Sequence, residues 1–250
     1  MQIILFRRNI HNSMITMIGT GHLFRISEQI SFIVKHNWPD AVLVELDERR
    51  YAAMTGEPGG VGSSENHSKL NRELAEYQKK IWENSGPRSE DDMLTAIHAG
   101  KAIGAQIICI DRDAEQTMSE VEENMSFLER TRFYFSLRRG KMSGAKSMGS
   151  MQKQLDANEE EYMRKLRKRF PTFVEKLIDE RNTIMAARIK EAAEKYKNIV
   201  IVVGDGHVKG ICELLDGIKI DKIRLADMMD QERMNEVRSR IWNRKAEESE

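Results

Sequence analysis

Three short runs, AVLVE (41–45), QIICI (106–110) and IVIVV (199–203), are apolar almost without interruption. A half-exposed strand alternates polar and apolar residues, because successive side chains point to opposite faces. A continuous run needs cover on both faces, the condition of strands in a parallel α/β sheet. Two further runs, 14–18 and the weaker 222–226, bring the strand candidates to five.

Helical patterns fill the intervals. Ile26, Ile30, Ile33 and Val34 form a stripe that Trp38-Pro39 ends. Met93, Leu94, Ala96, Ile97 and Ile103 mark a helix closing at Gly104. Apolar residues at 208, 211, 212, 214 and 215 mark another, with Gly217 as its stop. Strands alternating with helices predict an α/β fold: a mostly parallel central sheet flanked by helices, with a long helical insertion.

Residues 1–113 and 171–227 read as the α/β core. Within it, 55–68 is a Gly- and Ser-rich loop, followed by a polar helix near 69–82. Residues 114–170 read as the helical insertion: a lid, an arm or a dimer element. GKMSGAKSMGS (140–150) breaks it and reads as mobile. Glu160–Arg164 and Glu161–Lys165 are spaced for i,i+4 pairing. ERTRFYFSLRR (129–139) mixes arginines with aromatics; it either packs in a helical layer or touches phosphates or a membrane surface. The tail, 228–250, is polar and helix-prone, a frayed or interacting end.

Forty basic residues balance forty acidic ones over 250 positions, which argues against a nucleic-acid partner. No run approaches the roughly 18 apolar residues of a membrane helix. The start, MQIILFRRNIH, places its charges after its apolar run, the wrong order for a signal peptide. Cys109 and Cys212 sit in apolar stretches and suggest no disulfide framework. Together these features point to the cytoplasm, with peripheral membrane contact as an open alternative.

In open parallel sheets, ligands bind beyond the carboxyl ends of the strands. Here those ends carry Gly19-Thr20-Gly21-His22, Glu45, Asp111-Arg112-Asp113 and Gly204-Asp205-Gly206-His207. Glycines Gly19, Gly21, Gly204 and Gly206 suit a strand-to-helix turn that needs positive φ or close backbone approach. A histidine at a helix N-terminus is biased toward its neutral form, as a metal ligand or a general base must be. Neither turn is a GxGxxG dinucleotide loop: the third glycine would fall at Phe24 or Lys209, and Gly210 is one place late. On helix 172–196, Glu180 and Arg181 fall at the centre of an apolar face. They are either a buried ion pair or polar groups aimed at the strand-end site.

GTGH (19–22), PDAVLVELDERRY (39–51), AIGAQIICIDRD (102–113), DERNTIMAARI (179–189) and VVGDGHVKGI (202–211) resemble, in order, blocks of the TraB/PrgY pheromone-shutdown family. That family is distantly similar to the Tiki metalloproteases, whose paired Gly-x-x-His motifs resemble 19–22 and 204–207. The resemblance implies His22 and His207 as the motif histidines and Glu45 as their acidic partner. Arg112, Glu180 and Arg181 would be the remaining polar members of the site. Many relatives continue into membrane helices; this sequence reaches 250 without one, which is expected either of a soluble member or of a chain whose tail is missing.

Two functions follow as expectations. In the first, His22, His207 and Glu45 hold a divalent ion (Mn, Co or Zn), and the protein is a metal-dependent, peptidase-like hydrolase. Glu180 then serves as general base, and Arg112 or Arg181 stabilises an oxyanion. In the second, the same pocket sequesters a peptide or small-molecule ligand without turnover, in a regulator of pheromone-shutdown type. A homodimer is compatible with either. The sequence has neither an HExxH helix nor a GxSxG elbow.

Overall fold

The computed structural model describes residues 13–21, 24–58, 92–143 and 159–248. The expected helix near 69–82 and most of the 55–68 loop lie outside these residues, as do His11, His22 and His67. The chain divides into two compact units, one of 1–47, 89–111 and 182–250, the other of 48–88 and 112–181. The expected insertion, 114–170, falls inside the second.

The first unit is built on five parallel strands, β1 (Met14–Thr20), β2 (Ala41–Val44), β3 (Gln106–Cys109), β4 (Asn198–Gly204) and β5 (Ile220–Ile223). Their order is β3-β2-β4-β1-β5. Two of the three continuous runs have the predicted cause, since Ala41 to Val44 and Ile199 to Val203 are fully buried, whereas β3 is an edge strand with Gln106 exposed and Ile107 and Ile108 half-buried. Each fully buried Val, Ile or Leu contributes roughly 1.5–3 kcal/mol.

Alternation sorts these side chains onto two faces. Ile15, Met17, Ala41, Leu43, Ile199 and Ile201 pack with Met185 and Ile189 of one helix and Val208 and Ile211 of another. Those helices are Glu180–Lys195 and Asp205–Leu214. Val42 faces the other way, toward Gly100 of helix Asp92–Ala102, which packs in turn on helix Ser27–Asn37. Gly100 permits this approach: a Cβ there would lie 2.9 Å from both Val42 and Ile107.

The chain therefore leaves β1 on one face and the adjacent β4 on the other. Neighbouring strands with opposite exits define the switch point of an open α/β sheet. The GTGH and GDGH turns stand at these two carboxyl ends.

Two elements differ from the sequence reading. The last strand ends at Ile223 because Arg224 opens a short helix, Leu225–Met229, with a capping box to Asp227. The tail is a helix, Gln231–Glu248, whose Met234, Val237 and Ile241 are buried. Its i, i+3, i+7 spacing is diluted by charged neighbours, so composition hides an amphipathic helix as a frayed end.

The second unit packs Val121, Met125, Phe133, Leu137 and Phe170 into its own small core. These come from helices Ala114–Asn124 and Phe127–Ser143, from Met125 at the end of the first, and from Phe170, between helices Glu159–Arg169 and Pro171–Val174. Of the break expected at 140–150, the first four residues continue the Phe127–Ser143 helix, and the rest lie outside the described residues.

Candidate functional site

Glu45 is the first residue past β2, and its N–H still donates to Val202 O at 3.1 Å. That ladder bond fixes where its side chain starts. Glu45 Oε2 accepts the Gly204 N–H at 2.6 Å, placing a carboxylate at the start of helix Asp205–Leu214. The partial positive charge of a helix N-terminus favours an anion there. Glu45 Oε1 lies 3.4 Å from His207 Nε2, with both side chains nearly enclosed at 12% and 11% exposure.

The other ring nitrogen is held as well. Asn182 Oδ1 lies 2.7 Å from His207 Nδ1, and Asn182 is 5% exposed. An amide oxygen only accepts, so Nδ1 carries the proton. A neutral imidazole with that tautomer presents a lone pair at Nε2. Nε2 and Oε1 are then two acceptors facing each other, an arrangement that a proton or a cation between them stabilises. Two ligands on a tetrahedral ion, each at about 2.1 Å, stand about 3.4 Å apart. The nitrogen–oxygen donor pair thus fits a divalent transition metal in chemistry and spacing. Among the described residues, no three His, Cys, Asp or Glu side chains converge on one point. His22, the expected third ligand, lies outside those residues.

Of the two reasons expected for the turn glycines Gly19, Gly21, Gly204 and Gly206, close approach applies at the first two and positive φ at none of the four. Gly19 and Gly21 are needed for close approach: a Cβ at Gly19 would lie 2.2 Å from Asp205 Oδ1, and one at Gly21 2.6 Å from Leu225 Cδ2. Asp205 is itself fixed, accepting Arg224 Nε and Nη2 at 2.8 Å each and Leu225 N at 3.0 Å. The aspartate of GDGH therefore staples the end of β4 to the end of β5, with Gly19 of β1 packed on it. Gly206 meets nothing within 4 Å.

Glu180 and Arg181 do not occupy the centre of the buried stripe. That stripe runs Asn182, Met185, Ala186, Ile189, Ala192, Ala193. A π turn, Glu175–Asp179, precedes it. A π turn takes one extra residue, so a 3.6-residue count carried through it lands one position early, on Arg181. Within the second unit, Glu180 accepts Arg112 Nη1 at 3.1 Å and Lys176 Nζ at 2.5 Å. Arg112 Nη2 reaches Glu120 at 2.5 Å, holding that carboxyl below its usual range, while Glu180 raises the Lys176 ammonium. Arg181 Nη1 donates to Leu177 O at 3.2 Å. Sequence-selected residues thus form one pair, Glu45 with His207, and one network, Arg112 with Glu180, each within its own unit.

Asn182, Gly210 and Arg224 escaped the sequence reading. Gly210 failed as a dinucleotide glycine, yet a Cβ there would lie 2.3 Å from Asn182 Nδ2. Its missing side chain is what admits the amide beside His207. The available signal was the asparagine directly after Glu180-Arg181, one residue past the expected pair.

A relative in the archaeon Methanocaldococcus jannaschii, an uncharacterized protein, is 31% identical over 229 residues, 86% of this chain. The alignment takes in 56% of that protein, so this chain spans little more than half of its length. The TraB/PrgY/gumN family model matches residues 5–225, from ahead of β1 through the start of the Leu225–Met229 helix. Both motif turns, Glu45 and Asn182 fall inside the match, and the chain belongs to the TraB/PrgY/gumN family.

Proposed function

We propose that the protein is a metal-dependent hydrolase, peptidase-like in substrate class, with His207, Glu45 and His22 as the ligands of a divalent ion. One observation carries this reading: His207 Nε2 and Glu45 Oε1 stand 3.4 Å apart with Nδ1 turned to Asn182. A bound Mn, Co or Zn ion would supply Lewis acidity, polarising a carbonyl and acidifying a water. The chain's own contribution is preparation. The Gly204 N–H orients the Glu45 carboxylate, Asn182 sets the tautomer and plane of His207, and the enclosed position strengthens both interactions. Glu180, Arg112 and Arg181, expected as proton acceptor and anion-stabilising groups, lie in the second unit, where Glu180 is engaged by Arg112 and Lys176, and they are no part of this reading.

Metal content measured after equilibration with Mn, Co or Zn tests it. Stoichiometric metal in the parent protein, lost in His207→Ala, Glu45→Ala and His22→Ala, is expected, together with peptide hydrolysis that chelators abolish. Unchanged metal content in the variants sinks the ligand assignment. Peptide binding without turnover or metal dependence would favour the sequestering regulator instead.

A further inference from the structure

The helix Phe127–Ser143 is apolar on two sides and uses only one of them in the core of its unit. Phe133 and Leu137 are 6% and 7% exposed and pack against Val121, Met125 and Phe170. Phe127, Leu128 and Phe135 are 81%, 66% and 59% exposed. At about 100° per residue, these three fall with Arg132, Arg138 and Arg139 on one arc of about 140°. All three arginines are exposed, and the Arg139 guanidinium lies 5.7 Å over the Phe135 ring.

The same helix has a single acidic residue, Glu129, and it is turned inward. Glu129 is 4% exposed and accepts the Phe173 N–H at 3.3 Å. The outward charge of the arc is therefore entirely positive, although the chain as a whole is balanced at 40 and 40. The companion helix Glu159–Arg169 ends in exposed Arg167, Lys168 and Arg169 and shares the core cluster through Leu166. Arg167 is bridged to Asp179, whereas Lys168 and Arg169 extend the basic surface of the unit.

We propose that this face is a docking surface for an anionic lipid bilayer. Phe127, Leu128 and Phe135 enter the boundary between headgroups and acyl chains, and the arginines meet lipid phosphates. Charge complementarity selects the anionic surface. Leu128, unlike the two phenylalanines, offers a base no ring to stack on, and the balanced charge of the whole chain also argues against nucleic acid. The contact is peripheral: among the described residues no helix is long and apolar enough to cross a membrane. The inference is independent of the hydrolase reading, since it uses none of that site's residues.

The test is sedimentation of the whole chain with vesicles of pure phosphatidylcholine, or of three parts phosphatidylcholine to one part phosphatidylserine. Binding to the anionic vesicles only is expected, at least tenfold weaker in Phe127→Ser/Leu128→Ser and also in Arg132→Glu/Arg138→Glu. All four positions are exposed, and circular dichroism checks that each variant stays folded. No binding to anionic vesicles overturns the proposal. So does binding that the Phe127/Leu128 change leaves intact, which would mean bulk charge alone. Equal affinity for a single-stranded oligonucleotide would reassign the face to nucleic acid. Self-association lost in Phe127→Ser/Leu128→Ser without vesicle binding would reassign it to a second copy of the chain.

Discussion

Asn182 and His207 meet through a 2.7 Å contact between the amide oxygen and ring Nδ1, and this contact decides which side of the imidazole is basic. With Nδ1 protonated, the lone pair faces Glu45, which is how a ligand or base must be presented. Nitrogen NMR of His207 in the metal-free protein should report the Nδ1–H tautomer. Asn182→Leu should move the population toward Nε2–H and cost about 1–3 kcal/mol for the unsatisfied ring nitrogen. On the hydrolase reading it should also weaken metal binding by roughly 10–100-fold. An Nε2–H tautomer in the parent protein would mean that the amide is turned the other way, and the donor-pair argument would fail.

Gly19 and Gly206 are the two extremes among the four motif glycines, the first closely packed and the second open. Gly19→Ala would press a Cβ to 2.2 Å from Asp205 Oδ1 and 3.1 Å from Asp205 Cα. The second of these is backbone, so the strain cannot be relieved by turning a side chain. A loss of about 1–3 kcal/mol is expected in denaturant unfolding. Gly206→Ala meets nothing within 4 Å and lies in a helix without positive φ. It should be neutral or stabilise by up to about 1 kcal/mol. Equal losses in both variants would contradict the close-packing account.

These contrasts mark what the sequence could carry. The sheet was legible because burial on both faces leaves continuous runs such as Ile199–Val203, and the strand-end positions of Glu45 and His207 followed from topology. Asn182 was not legible, because a helical count of 3.6 assumes a regular helix and the π turn at 175–179 adds a residue. The roles of Gly19 and Gly210 were also hidden, since each depends on a residue far along the chain, Asp205 and Asn182. Sequence shows a glycine's freedom but not the neighbour that requires it.

Cys212 should resist alkylation. Burial pushes its thiol above the usual range, and its sulfur lies 3.9 Å from Met17 Sδ. A raised pKa means less thiolate at a given pH, hence slower attack on iodoacetamide. Labelling followed by mass spectrometry near pH 8 should be slow in the native protein and fast in denaturant. The native rate should climb only at higher pH, as the thiol begins to ionise. Native labelling at the rate of an unfolded thiol would show that the position is open.

Arg244 makes the C-terminal helix part of the fold. Its Nη1 lies 3.3 Å from both Thr16 Oγ1 and Asn37 Oδ1, and its Nη2 pairs with Asp221. One guanidinium thus ties β1, the helix after it and β5 to residue 244. Thr16 is fully buried and Asn37 is 7% exposed, so neither has ready access to replacement water. Arg240 also reaches Asp221 at 3.1 Å, which leaves that carboxylate paired when Arg244 is lost. Arg244→Met should therefore cost about 1–3 kcal/mol, the range for unpaired buried polar groups, rather than the larger cost of an uncompensated buried charge. Truncation before Gln231 should cost more, because it also strips cover from the surface packed against Met234, Val237 and Ile241. Urea unfolding of the two variants should rank them in that order, and a truncated chain as stable as the parent would show the helix to be dispensable.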